Sequence, residues 1–247
     1  MRTQGKHSLA LDFHENTKIL SSTQLYNPRT TYKIYPSAKA IPLDKNNSNM
    51  AENDTFLQTL FSRKSTRAFT PENLSLIDLS RLLTLSCGLR NDSEDSFYRT
   101  YASAGARYPI EVYVVLFGSG DIEQGIYHYN VKDNSLELIK TGDYTKEIKV
   151  FYANQKSAIV TDYPCLILFS VVFNRSMQKY GERGYRFSLI DSGHMSQNLY
   201  LAASYLNLGI VGIGAGQESD DRLDEFLGLV PGEENVFYSF AVGYPQD

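Results

Sequence analysis

Tryptophan is absent from the 247-residue chain, and cysteine is scarce, with Cys87 and Cys165 as its two thiols. Neither cysteine has a second Cys or a His at the spacing of a metal site, and two isolated cysteines do not make a disulfide framework. Both stand among apolar residues. We therefore expect buried free thiols, a reducing compartment and no bound metal.

Long apolar runs and basic tracts are also missing. No segment approaches the roughly 18 consecutive apolar residues of a membrane span. Residues 1–10 lack the apolar run of a secretory signal. The net charge of −4, without a Lys/Arg tract, argues against a nucleic-acid partner. We therefore expect a cytoplasmic protein that binds neither membrane nor nucleic acid.

Several catalytic and cofactor motifs are absent as well. The sequence contains no phosphate-binding P-loop and no G-x-S-x-G nucleophile elbow. Residues 212–216 (GIGAG) begin like the dinucleotide fingerprint G-x-G-x-x-G, but Gln217 stands where the last glycine belongs. No parallel strand with an acidic residue follows. A flexible glycine loop lying against a flat ring system fits this segment better.

The residues that are present divide the chain into two parts. Residues 1–54 are mostly polar and end in the Asn-rich run 44–49, so we expect an N-terminal arm and linker. Residues 55–247 carry the apolar segments of a folded domain. The chain also holds 18 Tyr and 13 Phe, which suit half-hydrated pockets and subunit interfaces, or simply β-sheet.

Helix and strand patterns intermix irregularly along this domain. Ser75 and Asp78 form a capping box for a helix that Gly88 ends, and its apolar positions are expected to face the core: Ile77, Leu79, Leu82, Leu83 and Leu85. The other expected elements are helices over 54–61 and 187–208 and from Ser219, and strands over 110–117, 125–129, 136–139, 165–173 and 236–242. Because regular βαβ alternation is missing, we expect an α+β fold with a mostly antiparallel sheet flanked by helices.

Two short segments suit a phosphorylated cofactor. Residues 63–67 (RKSTR) place three cations and two hydroxyls over five residues, although a plain basic helix terminus explains them equally well. Residues 103–106 (SAGA) are small enough for backbone N–H groups to approach an anion, or they form a tight turn before a strand. His194 is interpreted as a structural or capping histidine rather than a ligand or base.

Residues 178–186 (QKYGERGYR) combine a candidate base, phenols and permanent cations. Lys179 acts as a general base only when its neutral form is favoured, and Tyr180 beside it is a hydroxyl donor. If the stretch is helical, Arg183 and Arg186 share a face with Lys179 and disfavour its protonation. The alternative is a solvated basic turn with surface tyrosines.

Taken in this order, the segments resemble the nitroreductase superfamily. Residues 63–69 look like its flavin-binding signature, 197–203 like its central helix and 242–245 like its closing strand. Within that superfamily the chain looks like the azoline dehydrogenases of the SagB and McbC type. The segments that carry this finer resemblance are 102–112, 179–186 and, in the arm, 13–18.

The resemblance implies a nitroreductase-like fold with FMN at a homodimer interface. By position, Arg63 and Lys64 would hold the FMN phosphate, Ser65 the ribityl chain and Arg67 the pyrimidine edge of the ring. The other implied contacts are Ser103, Ala104 and Gly105 from the second subunit, Gln197 from the central helix, and Gly212, Gly214 and Ala215 near N5 and O4 of the ring. Lys179 and Tyr180 match the catalytic pair.

The implied reaction is the oxidation of thiazolines or oxazolines to thiazoles or oxazoles in the biosynthesis of peptide natural products. The substrate would be an azoline-containing ribosomal peptide, or a carrier-bound peptide on a nonribosomal synthetase, and a cyclodehydratase is a further expected partner. Two alternatives stay open. One is an NAD(P)H-dependent nitro or quinone reductase on the same fold, and the other is a catalytically silent scaffold subunit of a peptide-modifying complex.

Overall fold

The computed structural model describes residues 8–17, 33, 36, 41–42, 55–90, 97–118, 120–152, 163–213 and 219–246. The helices in these ranges are α1 (Leu9–Thr17), α2 (Thr55–Ser62), α3 (Leu76–Cys87), α4 (Thr145–Tyr152), α5 (Phe173–Tyr180), α6 (Arg183–Tyr205) and α7 (Ser219–Leu227). The strands are β1 (Ile110–Leu116), β2 (Gly125–Asn130), β3 (Ser135–Thr141), β4 (Cys165–Val171), β5 (Gly209–Ile213) and β6 (Asn235–Gly243). A short 3₁₀ turn covers Ala104–Ala106.

One six-stranded sheet with the order β3-β2-β1-β4-β6-β5 organises the domain. Every neighbouring pair in it is antiparallel, which confirms the α+β prediction. β4 is buried along its whole length, as its apolar run predicts. The predicted end of this strand at Phe173 was wrong, because the Val172 N–H donates to the Pro109 carbonyl and the chain then turns into α5.

Helix α3 packs on this sheet together with α6. Its predicted N-terminus is confirmed, since the Asp78 N–H donates to Ser75 Oγ at 3.0 Å. Leu79, Leu82 and Leu83 are buried. The prediction that Ile77 and Leu85 join them was wrong, because these side chains lie on the flank of the helix turned away from the sheet and are 61% and 44% exposed.

The long helix α6 begins at Arg183, before the predicted start at residue 187, because its polar first turn carries no apolar periodicity. Its end also differs from the prediction. Asn207, with φ 56°, adopts the left-handed conformation that commonly ends a helix. The Leu208 N–H then donates to the Ala203 carbonyl at 2.8 Å. The helix therefore ends at Tyr205, before the predicted end at residue 208, and Gly209 is already the first residue of β5.

The predicted glycine loop begins inside a strand. Gly212 and Ile213 belong to β5, where Gly212 pairs with Phe240 of β6, so the loop prediction was wrong for these two residues. Gly214 and Ala215 lie outside the described residues, as do the predicted helix cap at Asp54 and the polar loop 91–96.

The two cysteines are free and buried, as predicted. Burial raises the pKa of the Cys87 thiol to about 12, and it raises the pKa of Cys165 as well. Within the described ranges, no helix combines the length and the hydropathy needed to cross a bilayer.

Helices α5 and α6 approach each other closely at Gly184. A Cβ on Gly184 would stand 2.6 Å from the backbone of Ser176 and Met177, which cannot swing away. We expect Gly184→Ala to destabilise the protein by about 1–3 kcal/mol, as overpacked cores do. Thermal unfolding measures this, and Gly193→Ala on the same helix is the control, because nothing lies within 4 Å of its Cβ position. Equal melting temperatures for the two variants would contradict the prediction.

Candidate functional site

Lys179 and Tyr180 are the last two residues of α5. The helix ends because Gly181 turns with φ 58°, and its N–H donates to the Met177 carbonyl at 2.8 Å. Arg183 then begins a different helix, so the prediction that Lys179, Arg183 and Arg186 share one helical face was wrong. Lys179 is also exposed in the single chain, whereas Tyr180 is half-buried.

The SAGA segment lies directly against this pair. Gly105 adopts φ 60°, and a Cβ on it would stand 2.3 Å from Tyr180 Oη and 2.6 Å from Lys179 Nζ. The backbone conformation favours a glycine here, and any Cβ would have to displace both groups of the pair. The fold thus brings together two segments that are distant in sequence, the 103–106 turn and the Lys179–Tyr180 pair.

A buried carboxylate holds the turn in this position. Asp191 of α6 is 1% exposed, and it accepts hydrogen bonds from Ser103 Oγ at 2.6 Å and from the Ala104 N–H at 3.1 Å. Burial raises the pKa of the Asp191 carboxyl, while these two hydrogen bonds oppose the rise. Ser103 Oγ also accepts from the Tyr108 N–H. Its one proton is already donated to Asp191.

His194, one helical turn further along α6, binds the backbone just before the SAGA segment. Its Nδ1 lies 2.9 Å from the Ala102 carbonyl oxygen. Since a carbonyl can only accept, Nδ1 carries the proton and donates. Residues 102–104 are therefore bound to α6 at two places, and His194 has the structural contact that the sequence suggested.

Aromatic packing orients Tyr180. Its ring meets the Phe187 ring edge to face, with centroids 4.9 Å apart. The Lys179 ammonium nitrogen lies 5.3 Å from the Tyr180 ring centroid, and the Arg183 guanidinium lies 5.5 Å from that of Phe187. Phe187 of α6 thus packs against the phenol ring at the end of α5.

A charged network anchors α5 to the sheet. Arg175, one turn before Lys179, donates to the Tyr108 carbonyl at 3.1 Å and pairs with Glu111 of β1. Glu111 also contacts His128 Nε2 at 3.1 Å. Burial alone would raise the pKa of Glu111, but the His128 hydrogen bond and the Arg175 charge hold it below its usual value. The Glu111 hydrogen bond, aided by Glu137, in turn raises the pKa of His128.

This network predicts a pH-dependent stability. Because the folded pKa of His128 is raised, its contribution is fully present below the unfolded pKa of about 6.5 and disappears as pH rises through the folded pKa. We expect His128→Gln to destabilise the protein more at about pH 6 than at about pH 9. Thermal unfolding of wild type and variant at both pH values measures the difference, and an equal loss at both would contradict the assignment.

The predicted cofactor residues around Arg63 form a second cluster. The Arg63 guanidinium lies 5.7 Å from the centroid of the Tyr200 ring, and Tyr200 Oη accepts from the Gly212 N–H at 2.6 Å. The Thr66 N–H donates to the Ile210 carbonyl at 2.9 Å, which fixes the RKSTR loop beside β5. Gly212 is therefore near Arg63, although its N–H is already bonded.

The cations of this cluster suit an anionic ligand. Arg63 and Ser65 are half-buried, whereas Lys64 and Arg67 are exposed. No salt bridge joins any of the three cations to a carboxylate in the described part of the chain. Three cations beside the Ser65 hydroxyl, with no carboxylate bound to them among the described residues, fit the phosphate of the FMN that the resemblance implies.

The two clusters include residues from different parts of α6. Gln197 is exposed one turn before Tyr200, whose ring lies near Arg63. Asp191, at the Lys179 cluster, is roughly 14 Å from Tyr200 along the helix axis at about 1.5 Å per residue. Among the described residues, no group of three or more His, Cys, Asp or Glu side chains is arranged to hold a metal ion.

Asp191 is the site residue that the sequence interpretation missed. It belongs to the buried stripe of α6, which includes Ser188, Met195 and Leu199. An acidic residue on the buried face of a helix is uncommon unless it is paired. That position was the available signal, but the pattern alone does not say which groups the carboxylate binds.

Comparisons with known proteins agree with this architecture. The Nitroreductase family model matches residues 60–244. The candidate nitroreductase MJ1384 of Methanocaldococcus jannaschii is 31% identical over 163 residues, which cover 66% of this chain and 80% of that protein. The trifolitoxin-processing protein TfxB of Rhizobium leguminosarum bv. trifolii is 31% identical over 188 residues, which cover 71% of this chain and 49% of TfxB.

A solved structure shares the fold over almost the full length. A chain of the Escherichia coli microcin synthetase McbBCD complex with truncated pro-MccB17 bound matches with a TM-score of 0.78 and 20% identity, covering 98% of this chain and 95% of that one. The present chain spans about half of TfxB, so the activity of that whole protein does not transfer directly. Because the family model matches most of the sequence and the fold agrees, the chain belongs to the nitroreductase family.

Proposed function

We propose that the protein is an FMN-dependent azoline dehydrogenase that oxidises thiazolines or oxazolines in peptides to thiazoles or oxazoles. The observation that carries this proposal is the contact of Lys179 Nζ and Tyr180 Oη with the Gly105 turn. It places an amine and a phenol side by side at an accessible surface. A base next to a hydroxyl donor can remove an activated C–H proton by general acid–base catalysis.

The chemistry of the substrate defines what this pair does. The Cα–H of an azoline is acidic because the ring C=N and the adjoining carbonyl both stabilise the resulting carbanion. Lys179 Nζ takes that proton, and Tyr180 Oη donates a hydrogen bond to the developing negative charge.

The cofactor residues have a separate task. FMN supplies, when bound, the acceptor for the two electrons and the hydrogen that leave the ring carbon next to Cα. Arg63 and Lys64 hold its phosphate, Ser65 the ribityl chain and Arg67 the pyrimidine edge. Gln197 and the segment Gly212–Ala215 complete its surroundings, with Ser103, Ala104 and Gly105 contributed by a second subunit.

We infer that the second subunit is another copy of this chain. An apolar groove between α2, α3 and α6 supports this, since Phe56, Leu85 and Tyr205 in its lining are 63%, 44% and 55% exposed. Soluble monomers rarely expose contiguous apolar surface of this kind. Sedimentation analysis tests the inference, and a monomer at micromolar concentration would contradict it.

The relatives support a peptide substrate. TfxB is a trifolitoxin-processing protein, and the McbBCD structure contains truncated pro-MccB17. We therefore propose that this chain acts on an azoline-containing peptide, ribosomal or carrier-bound, in the cytoplasm. A cyclodehydratase or a nonribosomal synthetase is the partner that delivers it.

An anaerobic absorption spectrum of the purified protein tests the proposed function. A thiazoline-containing peptide or thioester is added to one sample and NADPH to another. We expect the flavin bands to bleach with the thiazoline and not with NADPH.

If NADPH alone bleaches the bands, the protein is an NADPH-dependent reductase and the proposal is wrong. The similarity to MJ1384, a candidate nitroreductase, is the observation that favours this alternative. A protein that shows no flavin bands after FMN is supplied would be the scaffold subunit.

A further inference from the structure

Helix α1 of the N-terminal arm lies on the junction between α5 and α6, next to the Lys179–Tyr180 pair. We propose that α1 is a positioning element for this pair and that Glu182 is the residue through which it acts. The effect of α1 on catalysis rests on the proposed function, whereas the structural coupling between α1 and the α5–α6 junction does not. Neither the family assignment nor the relatives assign a role to this contact.

The first observation is a cap supplied from outside the helix. Glu182 Oε2 accepts from the Ala10 N–H at 2.7 Å and from Ser8 Oγ at 2.9 Å. The carboxylate therefore satisfies a free N–H in the first turn of α1 and sits at the positive end of its dipole. Only Gly181 separates Glu182 from Tyr180, so this contact binds the arm to the chain two residues after the pair.

The second observation is a buried contact one turn further along the same face of α1. His14 is 8% exposed, with its ring centroid 5.1 Å from that of Phe173 and 6.0 Å from that of Tyr185. Tyr185 Oη also lies 3.5 Å from His14 Nδ1. Phe173 is the first residue of α5, and Tyr185 is in the first turn of α6. One side chain of the arm thus contacts both α5, which ends in the pair, and α6, which follows it.

The third observation concerns the joint between α5 and α6. Gly181 has φ 58°, and nothing lies within 4 Å of the position where its Cβ would be. Packing around Gly181 therefore does not hold the joint after Tyr180. Helix α1 spans this joint, because it bonds to Glu182 on one side of it and packs on Phe173, at the start of α5, on the other. These contacts add to the packing of Tyr180 itself on Phe187 of α6.

Hydrogen exchange of the full-length protein tests the coupling without any substrate. We expect Glu182→Ala to raise amide exchange in residues 8–17 and also in residues 174–187. Glu182→Gln should stay closer to wild type, because its amide oxygen still accepts both hydrogen bonds. Glu147→Ala on α4 is the control for removal of an exposed glutamate. Faster exchange confined to residues 8–17 would overturn the proposal.

Steady-state kinetics supply the catalytic readout. We expect Glu182→Ala to lower kcat by at least about tenfold with little change in KM or flavin content, since small displacements of catalytic groups are costly. Should Glu182→Ala fold poorly, Ser8→Ala removes one of the two hydrogen bonds from the arm side, and a partial fall in kcat is expected. An unchanged kcat in both variants would overturn the positioning role. Wild-type protein without azoline oxidation would instead contradict the proposed function and leave the exchange test standing.

Discussion

Lys179→Ala is expected to abolish azoline oxidation while FMN stays bound, with a loss of roughly 10²- to 10⁴-fold in the rate of the chemical step. The amine lies at the Gly105 turn, and in the described part of the chain it makes no ion pair that its removal would break. Tyr180→Phe should lose less, because the ring keeps its packing on Phe187 and only the hydroxyl is removed. Single-turnover oxidation of a thiazoline peptide measures both variants.

Lys132→Ala is the matched control, since that lysine is exposed in the β2–β3 hairpin turn. It should leave the rate unchanged. Loss of FMN from the Lys179 and Tyr180 variants would mean that the pair has a structural role, and the proposed mechanism would be wrong. Full activity of Lys179→Ala would exclude the amine as the base.

Gly105→Ala has the second largest expected effect. The added Cβ would lie 2.3 Å from Tyr180 Oη and 2.6 Å from Lys179 Nζ, which are the ends of flexible side chains and can move away. The protein should therefore fold, at a cost of about 1 kcal/mol for alanine in the left-handed conformation. Displacing both catalytic groups should reduce the oxidation rate by on the order of 10²-fold.

The control for Gly105→Ala is Gly228→Ala. Gly228 also has a positive φ, 77°, but nothing lies within 4 Å of its Cβ position. The two variants should lose similar stability in thermal unfolding, whereas only Gly105→Ala should lose activity. Equal activities would show that the turn does not set the position of the pair.

Local features of the fold could be read from the sequence. The cap at Ser75, the buried strand β4 and the hairpin between β2 and β3 were all predicted and are present. Each depends on residues a few positions apart, whose capping groups, apolar runs and turn residues are visible in one short segment. Errors occurred where an apolar residue began a helix or faced solvent, as at Phe173 and Ile77.

The site was predicted as separate segments and not as an arrangement. Its residue types were named from the Lys179–Tyr180 motif and the SAGA turn, but the interpretation of Lys179 and Arg183 as neighbours on one helix was wrong. Gly181 separates them, and a glycine in a polar stretch does not reveal by itself whether a helix continues. The roles of the predicted cofactor residues remain predictions.

What the sequence by itself determined is the chemistry available: an amine beside a phenol, three cations beside hydroxyls, and small residues where a backbone must come close. What only the tertiary structure decided is which of these groups meet. Asp191 and Ser103 are 88 positions apart, and Ala10 and Glu182 are 172 apart. Contacts at such separations depend on how α1, α5 and α6 pack, and no periodicity within a short segment carries that information.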